Sequence, residues 1–98
     1  MGNSIQSARF LIESRLRDAA RGDLQALYDL GVAYSCGVGG VDIDLIEAHK
    51  WFNLSALQGS EEGQACRAEI ADEMTAREIA EAQRQARSWL DMTRRRAA

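Results

Sequence analysis

Residues 26–65, ALYDLGVAYSCGVGGVDIDLIEAHKWFNLSALQGSEEGQA, decide how the rest of the chain is read. Their centre, CGVGGVDID at Cys36–Asp44, is rich in glycine, and both flanks repeat apolar residues at steps of three and four. On one side Ala26, Leu30, Ala33 and Tyr34 form a stripe with Leu27 beside it; on the other, Leu45, Ala48, Trp51, Phe52 and Ala56 form a second. That period is helical rather than extended, so the stretch predicts two helices and a turn. Asp23 reads as the N-cap of the first, which reaches Ser35 or Cys36. Asp44-Leu45-Ile46-Glu47 opens the second as a capping box with Asp in the Ser/Thr place, and Gly59 closes it.

The glycine-rich centre invites a nucleotide reading, and its residues refuse it. In Gly37-Val38-Gly39-Gly40-Val41-Asp42 the third glycine place of a dinucleotide fingerprint holds Asp42, and a helix precedes the motif where a strand is needed. No Lys-Ser or Lys-Thr follows, so a phosphate loop is excluded as well. Glycines here supply the positive φ angles of a helix-to-helix connection.

Working outward, Ile5, Ala8, Ile12, Leu16 and Ala19 predict a first helix over about 4–21, ended by Gly22. Ser60 caps a fourth helix that runs to about Glu73, with Glu61 and Glu62 at its positive end. Thr75-Ala76-Arg77-Glu78 has the full capping-box form and opens a fifth, whose packing face is Ile79, Ala82, Ala86, Trp89 and Leu90. Proline is absent, hydrophobic residues make up 46% of the 98, and aromatics only 6%. Such a chain forms one small all-α domain of about five helices, packed through thin layers of small side chains. Gly31 in an otherwise good helix costs about 1 kcal/mol against alanine. A packing reason is therefore expected: close approach of the third helix, with Trp51 or Tyr34 filling the space.

An internal echo supports a repeat. Asp18-Ala19-Ala20-Arg21-Gly22 aligns with Ser55-Ala56-Leu57-Gln58-Gly59, 37 residues on, and Ala26 and Gly63 follow at equal distance. With that period, Leu30, Gly31, Tyr34, Gly37, Gly39, Val41, Asp44, Ala48, Trp51, Phe52, Ala56 and Gly59 resemble the signature of a Sel-one-like repeat, a relative of the tetratricopeptide repeat. The resemblance covers about residues 19–65. A second copy departs from the pattern after Gly63 and Gln64, where Arg67 and Ala68 replace the Leu-Gly pair. The resemblance implies a superhelix fragment of αα-hairpins in a bacterial-type protein. It divides the single domain 1–98 into an N-terminal helix (4–21), a complete hairpin (23–58), a partial second repeat (60–73) and a C-terminal capping helix (76–96). It also implies a non-catalytic adaptor or scaffold for other proteins. The alternative is a small regulatory or ligand-binding helical bundle.

The remaining chemistry-bearing residues read as structural. Cys36 and Cys66 lack a Cys-x-x-Cys spacing, and one histidine is too few for a metal set, so no cofactor is expected. Cys66 falls with Gly63, Ile70 and Met74 on one helix face, as a reduced buried thiol. His49 lies off the buried stripe and reads as a solvated surface residue without a catalytic partner. Catalytic residues are therefore expected to be none. The net charge of −3 argues against nucleic acid, and Arg94-Arg95-Arg96 reads as a helix end that complements the macrodipole. No apolar run approaches the roughly 18 residues of a membrane span, and Met1–Gln6 lacks a signal-peptide layout, so the expected location is cytoplasmic.

A partner surface follows from helical phase. Gln25, Tyr28, Val32 and Ser35 lie opposite the buried stripe of the second helix, and by the resemblance face a concave groove. One period later stand Glu62, Ala65, Glu69 and Asp72, away from the buried stripe of the fourth helix. The expected groove has one mildly apolar wall and one acidic wall, suited to a protein or peptide bearing Lys or Arg. Self-association through the stripe on the first helix is the other expectation, because repeat stacks need about three units.

Overall fold

The computed structural model describes residues 4–97, with side chains for 9–95. Five α-helices follow one another: α1 (Ser4–Ala20), α2 (Leu24–Cys36), α3 (Leu45–Leu57), α4 (Glu61–Ala71) and α5 (Ala76–Ala97), with one 3-10 turn at Val38–Gly40. No strand occurs among the described residues. Ile5 and Ala8 of the expected α1 stripe, and Arg96 of the tail, lie outside the described side chains.

Local chemistry sets the boundaries. The Asp23 carboxylate accepts from Ala26 N at 3.2 Å, and Ser60 Oγ from Gly63 N at 2.9 Å. Each satisfies one of the orphan donors that a helix start leaves. At α5 both arms of the box are made: Thr75 N donates to Glu78 Oε1 at 2.8 Å, and Glu78 N to Thr75 Oγ1 at 3.1 Å. At α3 only one arm exists. Asp44 Oδ1 accepts from Glu47 N at 3.1 Å, but Asp44 N donates to Tyr34 O at 2.9 Å. The Glu47 carboxylate turns instead to Lys50 Nζ (2.8 Å) and Trp51 Nε1 (2.9 Å). The expected reciprocal box is therefore half made, since Glu47 serves its own helix. Helix α2 ends with Gly37 at φ 72°, whose N–H reaches Ala33 O; Gly39, also at positive φ, reverses the chain within the 3-10 turn.

Helices α2 and α3 run antiparallel: Tyr34 meets Asp44 at the loop, and Gly31 meets Phe52 farther along. A Cβ at Gly31 would stand 2.5 Å from Phe52 Cδ1. The missing side chain thus admits Phe52, not the Trp51 or Tyr34 expected from sequence. Gly63 of α4 plays the same part on the other side of α3, where a Cβ would collide with Ser55 Oγ. Two glycines on two neighbours let both pack close to one helix.

Helix α3 is central, packed against α2, α4 and α5. Its buried residues are Ala48, His49, Trp51, Phe52, Leu54 and Ser55. That face is wider than one amphipathic stripe, because three neighbours enclose the helix; Ala56, expected in the stripe, is only half-buried. One core cluster joins Ala19, Ala26, Leu27, Leu30, Trp51, Leu54 and Ala86; the other joins Ala48, Phe52 and Ile70, with Tyr28, Val32 and Met74 against it. Helix α5 belongs to the first cluster. Its Trp89 meets Trp51 edge-on, with ring centroids 5.4 Å apart at 81°, so α5 folds back on α3 rather than extending the stack beyond α4. Leu16, expected on the α1 packing stripe, remains 37% exposed.

Candidate functional site

A side chain spans the place between α2 and α4 where the groove is expected. Tyr28 leans across it, its ring centroid 5.6 Å from that of Phe52 and its hydroxyl 3.9 Å from Cys66 Sγ. The hydrogen bond with Cys66, foremost, holds the phenol pKa above its ordinary value; the negative charge of an ionised Cys66 sulfur, burial and the charges of Glu62 and Asp29 act in the same direction. Val32 is half-buried and packs toward Phe52. Ser35 is half-buried, and its hydroxyl donates to Val32 O at 3.1 Å. Gln25 is exposed, with its amide on Asp29 Oδ1 at 2.9 Å. Glu62, Ala65, Glu69 and Asp72 are all exposed on α4. Helical phase correctly placed the acids outward, yet missed that a phenol reaches across to the neighbouring helix.

The structure instead leaves a hollow of about 260 Å³ between α1, α2 and the 3-10 turn. Leu11 and Ile12 of α1, Val32 and Ala33 of α2, and Val38 of the turn form its apolar walls. Leu11 is 50% exposed and Val38 56%. Arg15 and Asp29 close one side as an ion pair, with Arg15 Nε 3.1 Å from Asp29 Oδ2. Of the residues nominated for the partner surface, Val32 alone lines this hollow. The signal for the others was present: Leu11 falls outside the three-and-four stripe of α1, and Val38 is a large apolar residue in a connection that needs only glycine. Only the packing of α1 on the turn brings them together.

Neither cysteine is in a disulfide; Cys36 is exposed, and Cys66, expected to be buried, is half-buried. Among the described residues no three His, Cys, Asp or Glu side chains come together as a metal set. No described helix is long and apolar enough to cross a membrane.

His49 corrects the sequence reading. It is 3% exposed, and its Nδ1 has no hydrogen-bond partner among the described residues. Enclosure of α3 on several sides, which one stripe could not foretell, takes it out of water. Burial first, and the Arg67 charge second, lower its pKa from the ordinary 6.5. Arg67 is held nearby by Asn53 Oδ1, 2.6 Å from its Nη1. With the folded value depressed, the unfolded chain binds more protons near and below pH 6.5, so stability is full above that pH and falls as pH drops through it. The urea midpoint is expected to decline between pH 7.5 and pH 5, and H49Q to flatten that decline. An equal decline in H49Q would remove the assignment.

Comparison with protein-family models, curated proteins and solved structures gives no match to this chain.

Proposed function

We propose that this chain is a non-catalytic binding module of the Sel-one-like type, holding a protein or peptide in the hollow between α1, α2 and the 3-10 turn. The observation that carries the reading is that hollow: large apolar side chains, Leu11 and Val38, stand half in water on its two sides. A small domain that leaves apolar walls open beside a defined ion pair resembles a recognition groove more than a failed core. The repeat assignment is supported by what its signature residues do. Leu30, Ala48, Trp51 and Phe52 are buried, Gly31 admits Phe52, Asp44 caps α3 and Gly37 ends α2. The alternative of a small-ligand bundle calls for an enclosed cavity, whereas this hollow opens past Leu11 and Val38.

Capture from native lysate separates the two faces. L11D/V38D is expected to lose the bound partner, while E62K/E69K/D72K keeps it. The reverse pattern moves the interface to the acidic face of α4 and a basic partner. Retention by both variants sinks the groove reading.

A further inference from the structure

We infer that the hollow takes the C-terminal end of a partner chain, with its apolar last side chain between Leu11, Val32 and Val38 and its α-carboxylate on Arg15. This rests on reading the hollow as a protein-binding groove and adds the chemistry of what enters it.

The ion pair at the rim is unequal. Asp29 is engaged on both oxygens, Oδ1 by the Gln25 amide at 2.9 Å and Oδ2 by Arg15 Nε at 3.1 Å. Arg15 is approached from its Nε edge only; no hydrogen bond from its two amino nitrogens is found among the described residues, and the side chain is 40% exposed. A guanidinium has two edges that each match a carboxylate bidentately. Asp29 steadies one and leaves the other for a ligand. Among the described residues no other acidic side chain lines the hollow, and described α1 carries Arg9, Arg15 and Arg17 against Glu13 and Asp18. An anion is therefore favoured over a cation.

Size and wall chemistry choose the source of that carboxylate. A volume of about 260 Å³ falls below the roughly 300–1,000 Å³ of pockets for drug-sized ligands, so it accepts one or two side chains rather than a helix. An acidic side chain inside a continuing strand would bring a peptide group on each side against walls of Leu11, Ile12, Val32 and Ala33. Those walls offer no hydrogen-bond partner, and each unpaired polar group is costly. A chain end brings one peptide fewer, and its carboxylate shares a carbon with the apolar side chain. Capture of a C-terminal carboxylate is an established mode of peptide recognition.

The test is fluorescence anisotropy with fluorescein-labelled Gly-Ser-Gly-Ser-Leu-Leu, bearing either a free α-carboxylate or an α-carboxamide, and with companions ending in Val, Ile, Met or Phe. At least one free acid is expected to bind about tenfold or more tightly than its amide. R15Q should erase that difference without changing amide binding, and V38D should weaken both. An exposed ion pair adds little to stability, so R15Q remains folded, which circular dichroism checks. Equal binding of acid and amide, abolished by V38D, overturns the carboxylate inference while the groove stands. Failure of every free acid to bind also overturns it, and the lysate capture then judges the groove separately.

Discussion

Replacing Gly31 with leucine is expected to lower the melting temperature by roughly 12–24 °C, from a loss of about 3 kcal/mol at about 4–8 °C per kcal/mol in a domain of this size. The Cβ alone would stand 2.5, 2.6 and 2.8 Å from three carbons of the Phe52 ring. That ring is 1% exposed and closed in by Tyr28, Ala48 and Ile70, so it has little room to tilt away. Alanine separates the contact from helix propensity, because it gains about 1 kcal/mol as a helix former. A net loss in G31A would therefore be wholly steric. Adding F52L to G31A removes the ring edge, and the pair should be less destabilised than the sum of the single changes, by about 0.5–3 kcal/mol of coupling. Thermal unfolding of the four proteins reads this directly. An unchanged melting temperature in G31L, or strict additivity in the cycle, would remove the close approach of α2 to α3 as the reason for the glycine.

The same glycine shows what the sequence could carry and where it stopped. Its cost in a helix announces a close neighbour, and the stripes on both flanks say that the neighbour is α3. Which side chain arrives depends on the rotation of α3 about its axis. With three packing partners, that rotation is not fixed by one apolar stripe: Phe52 faces α2, while Trp51 turns to α5. Helix starts were legible because they are local. Asp23, Ser60 and the Thr75–Glu78 pair lie within three residues of the N–H groups they serve. His49 was not legible, since one apolar stripe does not show that α3 is enclosed by three helices.

The candidate site divides in the same way. Exposure of Glu62, Glu69 and Asp72 follows from helical phase and is found. A groove is a relation between helices. In its α2–α4 version one long side chain reaches across, the Tyr28 phenol beside Cys66, 38 residues away. The hollow beside α1 depends on contact between α1 and the 3-10 turn, a pairing that periodicity does not encode. What the sequence did hold was an anomaly at each end of it, Leu11 outside its stripe and Val38 among glycines.

Truncating Trp51 to alanine should cost about 3–5 kcal/mol, the range for deleting a buried large aromatic, and should act most strongly on a helix that is distant in sequence. The indole is 2% exposed. Its Nε1–H donates to Glu47 Oε2 at 2.9 Å, Lys50 Nζ sits 4.7 Å from the ring centroid, and the Trp89 ring meets it edge-on. The aromatic pair contributes about 0.5–1.5 kcal/mol beyond its buried area, and the Lys50 ammonium, on a side chain only 12% exposed, about 0.5–2. Helix α5 joins the core through Ala86, with Trp89 and Leu90 packed against it, and α3 is its principal partner. Without Trp51 that helix keeps its capping box but loses the surface its aromatic face rests on. Amide exchange is therefore expected to accelerate in α5 well beyond the change in α2, which keeps its separate contact with α3 through Gly31 and Phe52. W89A should loosen α5 similarly at a smaller global cost, because Trp89 is only half-buried. Uniform acceleration across all helices in W51A would mean that α5 has no separate stability and that the chain unfolds as one unit. Full protection of α5 in W51A would mean that the indole pair does not hold it.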